Sequence, residues 1–155
     1  MAVKFSMNGQ VDVPLDTLYA KMTDPKEQEE MAYKFGSSKA EGKITEEGDK
    51  LIVELYTEDP PKKGGDLEKA TLTFTWDKNT KVCNWSRADL NNGDRVKVTG
   101  TSKLVADGDV TKTSDEGEIN IDIPMIGKMI AKKIAAAMER KYPEKMKYWE
   151  DRINS

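Results

Sequence analysis

Along the last third of the chain the spacing of apolar residues changes period. In Gly117–Tyr142 they occupy every second position up to Ile123 (Ile119, Ile121, Ile123) and every fourth after Pro124 (Ile126, Ile130, Ile134, Met138, Tyr142). The first pattern predicts a half-buried strand and the second a one-sided helix. Pro124 suits the junction, because its fixed φ fits a first helical turn and its missing N–H ends a ladder. On a wheel of 100° per residue, Ile126, Ile130, Ile134, Ala137 and Met138 share one side and Lys128, Lys132 and Glu139 the other, so the isoleucine side is expected to face the sheet. Gly127 inside this helix predicts a close approach to a strand or free space beneath it. Pro143 predicts a kink or break, followed by a short docked segment carrying Met146, Trp149 and Ile153.

Similar patterns precede it. Val3, Phe5, Met7, Val11 and Val13 alternate with polar residues, with Gly9 at the missing position, which predicts a long strand bent or bulged at the glycine and ended by Pro14. Leu15, Leu18, Tyr19 and Met22 have helical spacing, and "PKEQEEMAYKF" reads as a second short helix started by Pro25 and stopped near Gly36. From Lys39 onward, turn signals at Glu47–Asp49, Glu58–Asp66, Asp77–Thr80, Asn91–Asp94 and Ala106–Asp109 divide the chain into six strands of a meander. Asn92-Gly93 and Asp107-Gly108 are the expected tight hairpin pairs. Leu51, Val53 and Leu55 share a face, as do Leu72, Phe74 and Trp76, and Val96, Val98 and Leu104. Only "VCNWSRADL" stays open: one phase turns Cys83, Trp85, Arg87 and Asp89 inward, the other Val82, Ser86, Ala88 and Leu90.

The fold class predicted is α+β: a seven-stranded antiparallel curved sheet wrapped around a long C-terminal helix, with two short helices between strands 1 and 2. The 155 residues are expected to form a single domain over 1–155.

Composition narrows the chemistry. The chain contains no histidine, which removes Ser-His-Asp and Cys-His catalysis, histidine-containing zinc sites and the usual general base. No catalytic constellation, metal site or cofactor is expected. A net charge of -3 argues against nucleic-acid binding. No run approaches the roughly 18 apolar residues of a membrane span and no signal-peptide h-region opens the chain, so a cytoplasmic location is expected. Cys83, the only cysteine, cannot form an intrachain disulfide and reads as a structural core residue. Met125–Arg152 carries eight Lys and Arg against four Asp and Glu. That excess either forms a solvated outer face or allows transient contact with an anionic membrane surface.

The stretch "GTSKLVADGDVTKTSDEGEINIDIPMIGKMIAKKI", with Gly100, the Gly108-Asp109 turn, Gly117, Pro124, Gly127 and a lysine-rich terminal helix, resembles the START-like, polyketide-cyclase superfamily (SRPBCC), whose architecture is the helix-grip fold. The resemblance follows element order over nearly the whole chain and is residue-specific over Gly100–Ile134. It implies a hydrophobic cavity between sheet and C-terminal helix and an apolar ligand such as a lipid, sterol or polyketide. It carries over no catalytic motif.

The residues expected to line such a space are Met7, Val53, Leu55, Leu72, Phe74, Trp76, Trp85, Arg87, Ile126, Ile130 and Ile134. Any one of the apolar members taken singly reads first as part of a solid core; the set together, with the resemblance, points to a cavity. Arg87 and Asp89 form the one polar pair with an orienting role if their strand turns Trp85 inward. Three functions are consistent with this reading. The first is a carrier of a hydrophobic small molecule. The second is a cyclase- or hydratase-type enzyme using Arg87, Asp89 or Tyr56. The third is a cochaperone-like interaction domain. The loop "EDPPKKGGD" reads as either a lid or an ordinary connection.

Overall fold

In the computed structural model, which describes residues 2–61 and 64–155, the alternating segments become strands and the periodic ones helices. The order is β1 (Ala2–Val11), α1 (Leu15–Met22), α2 (Pro25–Lys34), β2 (Lys39–Glu47), β3 (Lys50–Asp59), β4 (Glu68–Asp77), β5 (Val82–Asp89), β6 (Val96–Asp107), β7 (Val110–Ile121) and α3 (Gly127–Asn154). All pairings are antiparallel, in the order β1-β7-β6-β5-β4-β3-β2. This is the expected α+β layout: a curved seven-stranded sheet, a long C-terminal helix, and two short helices between the first two strands. Among the described residues no helix is long and apolar enough to cross a membrane.

Each short helix has local reasons to form. Pro14 precedes α1, and Asp24 caps α2 by accepting from the Lys26 N–H at 2.9 Å, with Pro25 in the first turn. α2 is then tied across the molecule. The buried Glu27 carboxylate accepts from Arg152 Nε at 2.9 Å and Lys21 Nζ at 3.3 Å, and the Arg152 bond is the main reason the Glu27 pKa lies below that of a free glutamate. At the other edge, the Asp12 N–H donates to Glu150 Oε1 at 2.7 Å. Both links hold the last turns of α3 against the elements that begin the chain.

The structure corrects several details. Gly9 marks no bulge, since β1 pairs with β7 without interruption through Gly9 and Thr113. A Cβ there would lie 2.9 Å from Tyr142 Cε2, so the glycine makes room for α3. Pro124 does not begin the helix: residues 124–126 form a turn, with Met125 at φ 72°, and α3 starts at Gly127. Pro143 does not break it. Pro143 and its i-4 partner Glu139 are exposed, so the carbonyl that loses its helical donor is free to meet water and the helix continues to Asn154. Nor do Asn92 and Gly93 form a tight hairpin pair, since Asn92 keeps a negative φ of -108° and the connection makes a short 3-10 turn at Gly93–Arg95. The Glu58–Asp66 loop, read as either a lid or an ordinary connection, includes Lys62 and Lys63, which lie outside the described residues.

The largest correction concerns which side of α3 meets the sheet. The buried line is Gly127, Ala131, Ala135, Tyr142, Met146 and Trp149, not the isoleucine side. Ile126 is 46% exposed, and Ile130, Ile134 and Met138 are half-buried on the flank. The cause is steric. A Cβ on Gly127 would stand 2.3 Å from the Ile121 carbonyl oxygen, so the helix backbone docks closely through its smallest residues and the larger isoleucines are displaced to one side. The expected close approach at Gly127 is thus present, and it rotates the helix.

Candidate functional site

Cross-strand register settles which residues share the concave face. One row reads Val3, Ile119, Val98, Arg87, Leu72 and Leu55; the next Phe5, Gly117, Gly100, Trp85, Phe74 and Val53; the third Met7, Asp115, Ser102, Cys83, Trp76 and Leu51. The open phase of β5 is therefore resolved with Cys83, Trp85, Arg87 and Asp89 inward. Asn84, Ser86 and Ala88 on the other phase are exposed.

The helices cover this face unevenly. α3 rests mainly on β1 and β7, and α2 on β2 and β3. Between them Leu72, Phe74, Trp85 and Arg87 on the concave face, and Ile130, Ile134 and Met138 on the flank of α3, are half-buried, and the aromatic and helix members pack against the core. Half-buried apolar side chains on both layers make this face the candidate groove. At one end of the three rows Trp76 and Cys83 are fully buried, with Tyr19 edge-on to Trp76 at 5.4 Å. At the opposite end stand Arg87, Asp89 and the first turn of α3.

The predicted lining residues divide accordingly. Leu72, Phe74, Trp85, Arg87, Ile130 and Ile134 are the half-buried members. Met7, Val53, Leu55 and Trp76 lie on the same face but are buried in the core, and Ile126 sits outside, before the first helical turn. Tyr56 belongs to the outer face, where its hydroxyl donates to Glu58 Oε2 at 2.6 Å, so it cannot act with Arg87 and Asp89. A surface depression of about 1000 Å³ is lined by outer-phase residues such as Thr73, Ser86, Thr99 and Glu118 together with Phe5, Trp85 and Glu139 of α3.

Two glycines shape the groove floor. Trp85 lies against Gly100, where a Cβ would fall 2.6 Å from the indole, and Phe5 lies against Gly117, where a Cβ would fall 2.7 Å from the ring. Phe5 and Trp85 consequently stack at 5.9 Å between centroids. Trp85 is also held by its polar edge: its Nε1–H donates to Asp115 Oδ1 at 2.9 Å, and Ser102 Oγ–H donates to the same oxygen.

Asp115 is the main residue that the sequence reading missed. Counting back by twos from Ile121 and Ile119 reaches Gly117 and then Asp115, so the signal was present but lay beyond the last apolar residue. Burial pushes its carboxyl pKa up, against the bonds from Ser102 and Trp85 and the charge of Lys145. Cys83 beside it is a thiol pushed up by burial, and Tyr142, donating to Thr113 Oγ1 at 2.7 Å, is pushed up to about 12 by burial. None of these groups is poised as a nucleophile at neutral pH.

Arg87 and Asp89 make one long ion pair, Nη1 to Oδ2 at 3.9 Å. Burial works to raise the Asp89 pKa, but the N–H groups of Asn91 and Asn92, the Asn92 side chain and Arg87 hold it below the ordinary value. Asp89 is thus a loop cap first. The guanidinium makes no hydrogen bond among the described residues. Nor do any three acidic or thiol side chains among them converge in a metal-binding arrangement.

A raised carboxyl pKa has a defined consequence. The folded state holds the Asp115 proton more tightly than the unfolded chain, so the burden of the charge is absent below the unfolded pKa and grows as pH rises through the folded value. Asp115→Asn keeps the shape and removes the charge. Its melting temperature is expected to exceed that of the wild type at pH 7, with the gain vanishing near pH 3; scanning calorimetry at both pH values measures it.

A curved antiparallel sheet gripping a long C-terminal helix is the helix-grip arrangement, and several solved structures share it. Solved structures with this fold include TTHA0849 from Thermus thermophilus, with a TM-score of 0.70 and 16% identity over 97% of each chain. The Zhui aromatase/cyclase from Streptomyces sp. R1128 aligns with a TM-score of 0.67 and 14% identity over 99% of this chain and 94% of that one. Ara h 8.0201 aligns with a TM-score of 0.67 and 13% identity over 99% and 98%. At such identities the likeness is one of fold. Residues 6–153 match the family model described as "Protein of unknown function (DUF2505)", and the chain belongs to that family. No curated protein matches the sequence significantly.

Proposed function

We propose that residues 1–155 form one helix-grip domain that binds and carries a hydrophobic small molecule, a lipid, polyketide or similar compound, in the groove between the sheet and α3. The observation that carries this reading is the set of half-buried apolar side chains on two facing layers: Leu72, Phe74 and Trp85 on the strands, Ile130, Ile134 and Met138 on the helix. At about 25 cal/mol per Å² of apolar surface removed from water, a few hundred Å² of ligand gives micromolar affinity after ordering costs. The aromatase/cyclase among the structures of the same fold supports the substrate class.

The N-terminal turn of α3 adds a route for loading. Met125 and Met129 are exposed beside Lys128, Lys132 and Lys133, an apolar and cationic combination suited to transient contact with an anionic membrane surface. The lone buried cysteine suits a cytoplasmic carrier.

A second reading, a cyclase-type reaction on the bound molecule, is favoured by Arg87, whose guanidinium is turned to the concave face with a single long ion pair. Turnover that falls in Arg87→Leu while the fold persists supports the enzyme. Native mass spectrometry of protein purified from cells tests the carrier: a co-purifying apolar mass supports it, and protein that leaves cells empty and binds no apolar dye contradicts it.

A further inference from the structure

We infer that the second carboxylate oxygen of Asp115 is the polar anchor of the groove, and that it selects apolar ligands bearing a hydrogen-bond donor, a hydroxyl or protonated amine, over the same skeleton without one. This rests on the groove being the binding site and adds the class of molecule it prefers.

The geometry is asymmetric. Trp85 Nε1–H and Ser102 Oγ–H converge on the same atom, Oδ1. Oδ2 has neither a hydrogen bond nor an ion pair among the described residues. Asp115 is half-buried, and Oδ2 is not sealed from solvent. Lys145 acts on the carboxylate through space, with no direct ion pair to it among the described residues. Two donors therefore hold the carboxylate in one orientation with one oxygen satisfied and the other presented.

Its surroundings make the arrangement costly for folding alone. Asp115 shares its row with Met7, Cys83 and Trp76, all buried, and a charge among such neighbours is retained at a loss unless it is paired. Satisfying Trp85 and Ser102 does not require a charge, since an asparagine oxygen would accept both bonds. What only the carboxylate offers is a second acceptor. A ligand with a donor at its inner end completes it. One lacking the donor leaves Oδ2 stripped of water and unpaired, the situation in which binding sites reject analogues most strongly.

The test is calorimetric titration at pH 7 with 2-naphthol and 2-methoxynaphthalene, the same apolar skeleton with and without a donor. Wild-type protein is expected to bind the naphthol at least about tenfold more tightly. In Asp115→Asn, where the second position becomes an amide donor that the oxygen of either compound can accept from, the preference is expected to collapse. Equal affinities in the wild type, or a preference that survives in Asp115→Asn, overturn the inference and leave the groove reading intact. Failure of both compounds to bind overturns the groove reading itself. Should the variant not fold, the wild-type comparison decides alone.

Discussion

Replacing Gly117 by alanine is expected to lower the unfolding free energy by about 3 kcal/mol, the upper part of the range for forcing extra volume into a packed site. The new methyl would stand 2.0 Å from the Thr99 carbonyl oxygen and 2.6 Å from the Gly100 Cα. Both obstacles are backbone in the neighbouring strand, so no rotamer change relieves the clash and β6 must separate from β7. The damage extends to the groove, because Gly117 lies beneath Phe5 and pairs with Gly100, on which Trp85 rests. Urea unfolding of the variant measures the loss. A change below about 0.5 kcal/mol, the scale of an ordinary surface substitution, would mean that the two strands do not approach as described.

Trp76→Ala is the second large effect, expected at about 3–5 kcal/mol. The sequence alone made Trp76 a candidate for contact with a ligand. The structure makes it a core residue, 2% exposed, closed over by Tyr19 of α1 and beside Cys83 across the strand pair. Deleting a fully buried indole removes its transfer free energy and leaves a cavity that neighbours on two layers cannot fill. Against a typical total of about 5–15 kcal/mol, much of the protein would be near its unfolding threshold at 37 °C. Phe74→Ala, at a half-buried groove position, should cost clearly less. Equal losses at the two positions, read by urea unfolding, would show that Phe74 is core and that the groove is filled.

How far the sequence spoke depended on contrast between neighbouring positions. Where large apolar residues alternate with polar ones, as in Leu72–Trp76 and Ile119–Ile123, strand and inward phase follow directly, and with them the meander. β5 was ambiguous because either phase turned something polar inward. Only its pairing to Phe74 and Gly100, a long-range fact, brought Trp85 in. The side of α3 was misjudged because hydrophobicity weights isoleucine above alanine and glycine, whereas close docking selects the smallest side chains. The same bias hid Asp115: an acidic residue on an inward phase reads as the end of a pattern, when it marks a position whose polarity has a use. Pro143 misled for another reason, since whether a proline breaks a helix depends on whether the orphaned carbonyl meets water, and that is set by tertiary exposure.

On the proposed function, the concave face between β4, β5 and α3 receives an apolar molecule. The most direct test is equilibrium titration with the apolar dye 1-anilinonaphthalene-8-sulfonate, comparing wild type with Ile134→Glu, which places a charge on the helix flank of the groove while circular dichroism confirms the fold. Saturable binding at one site in the wild type, weakened at least about tenfold in the variant, is the predicted result, since a desolvated carboxylate costs well over the 1.4 kcal/mol that corresponds to a factor of about ten. Binding of the same strength in both proteins would place the dye elsewhere and contradict the account.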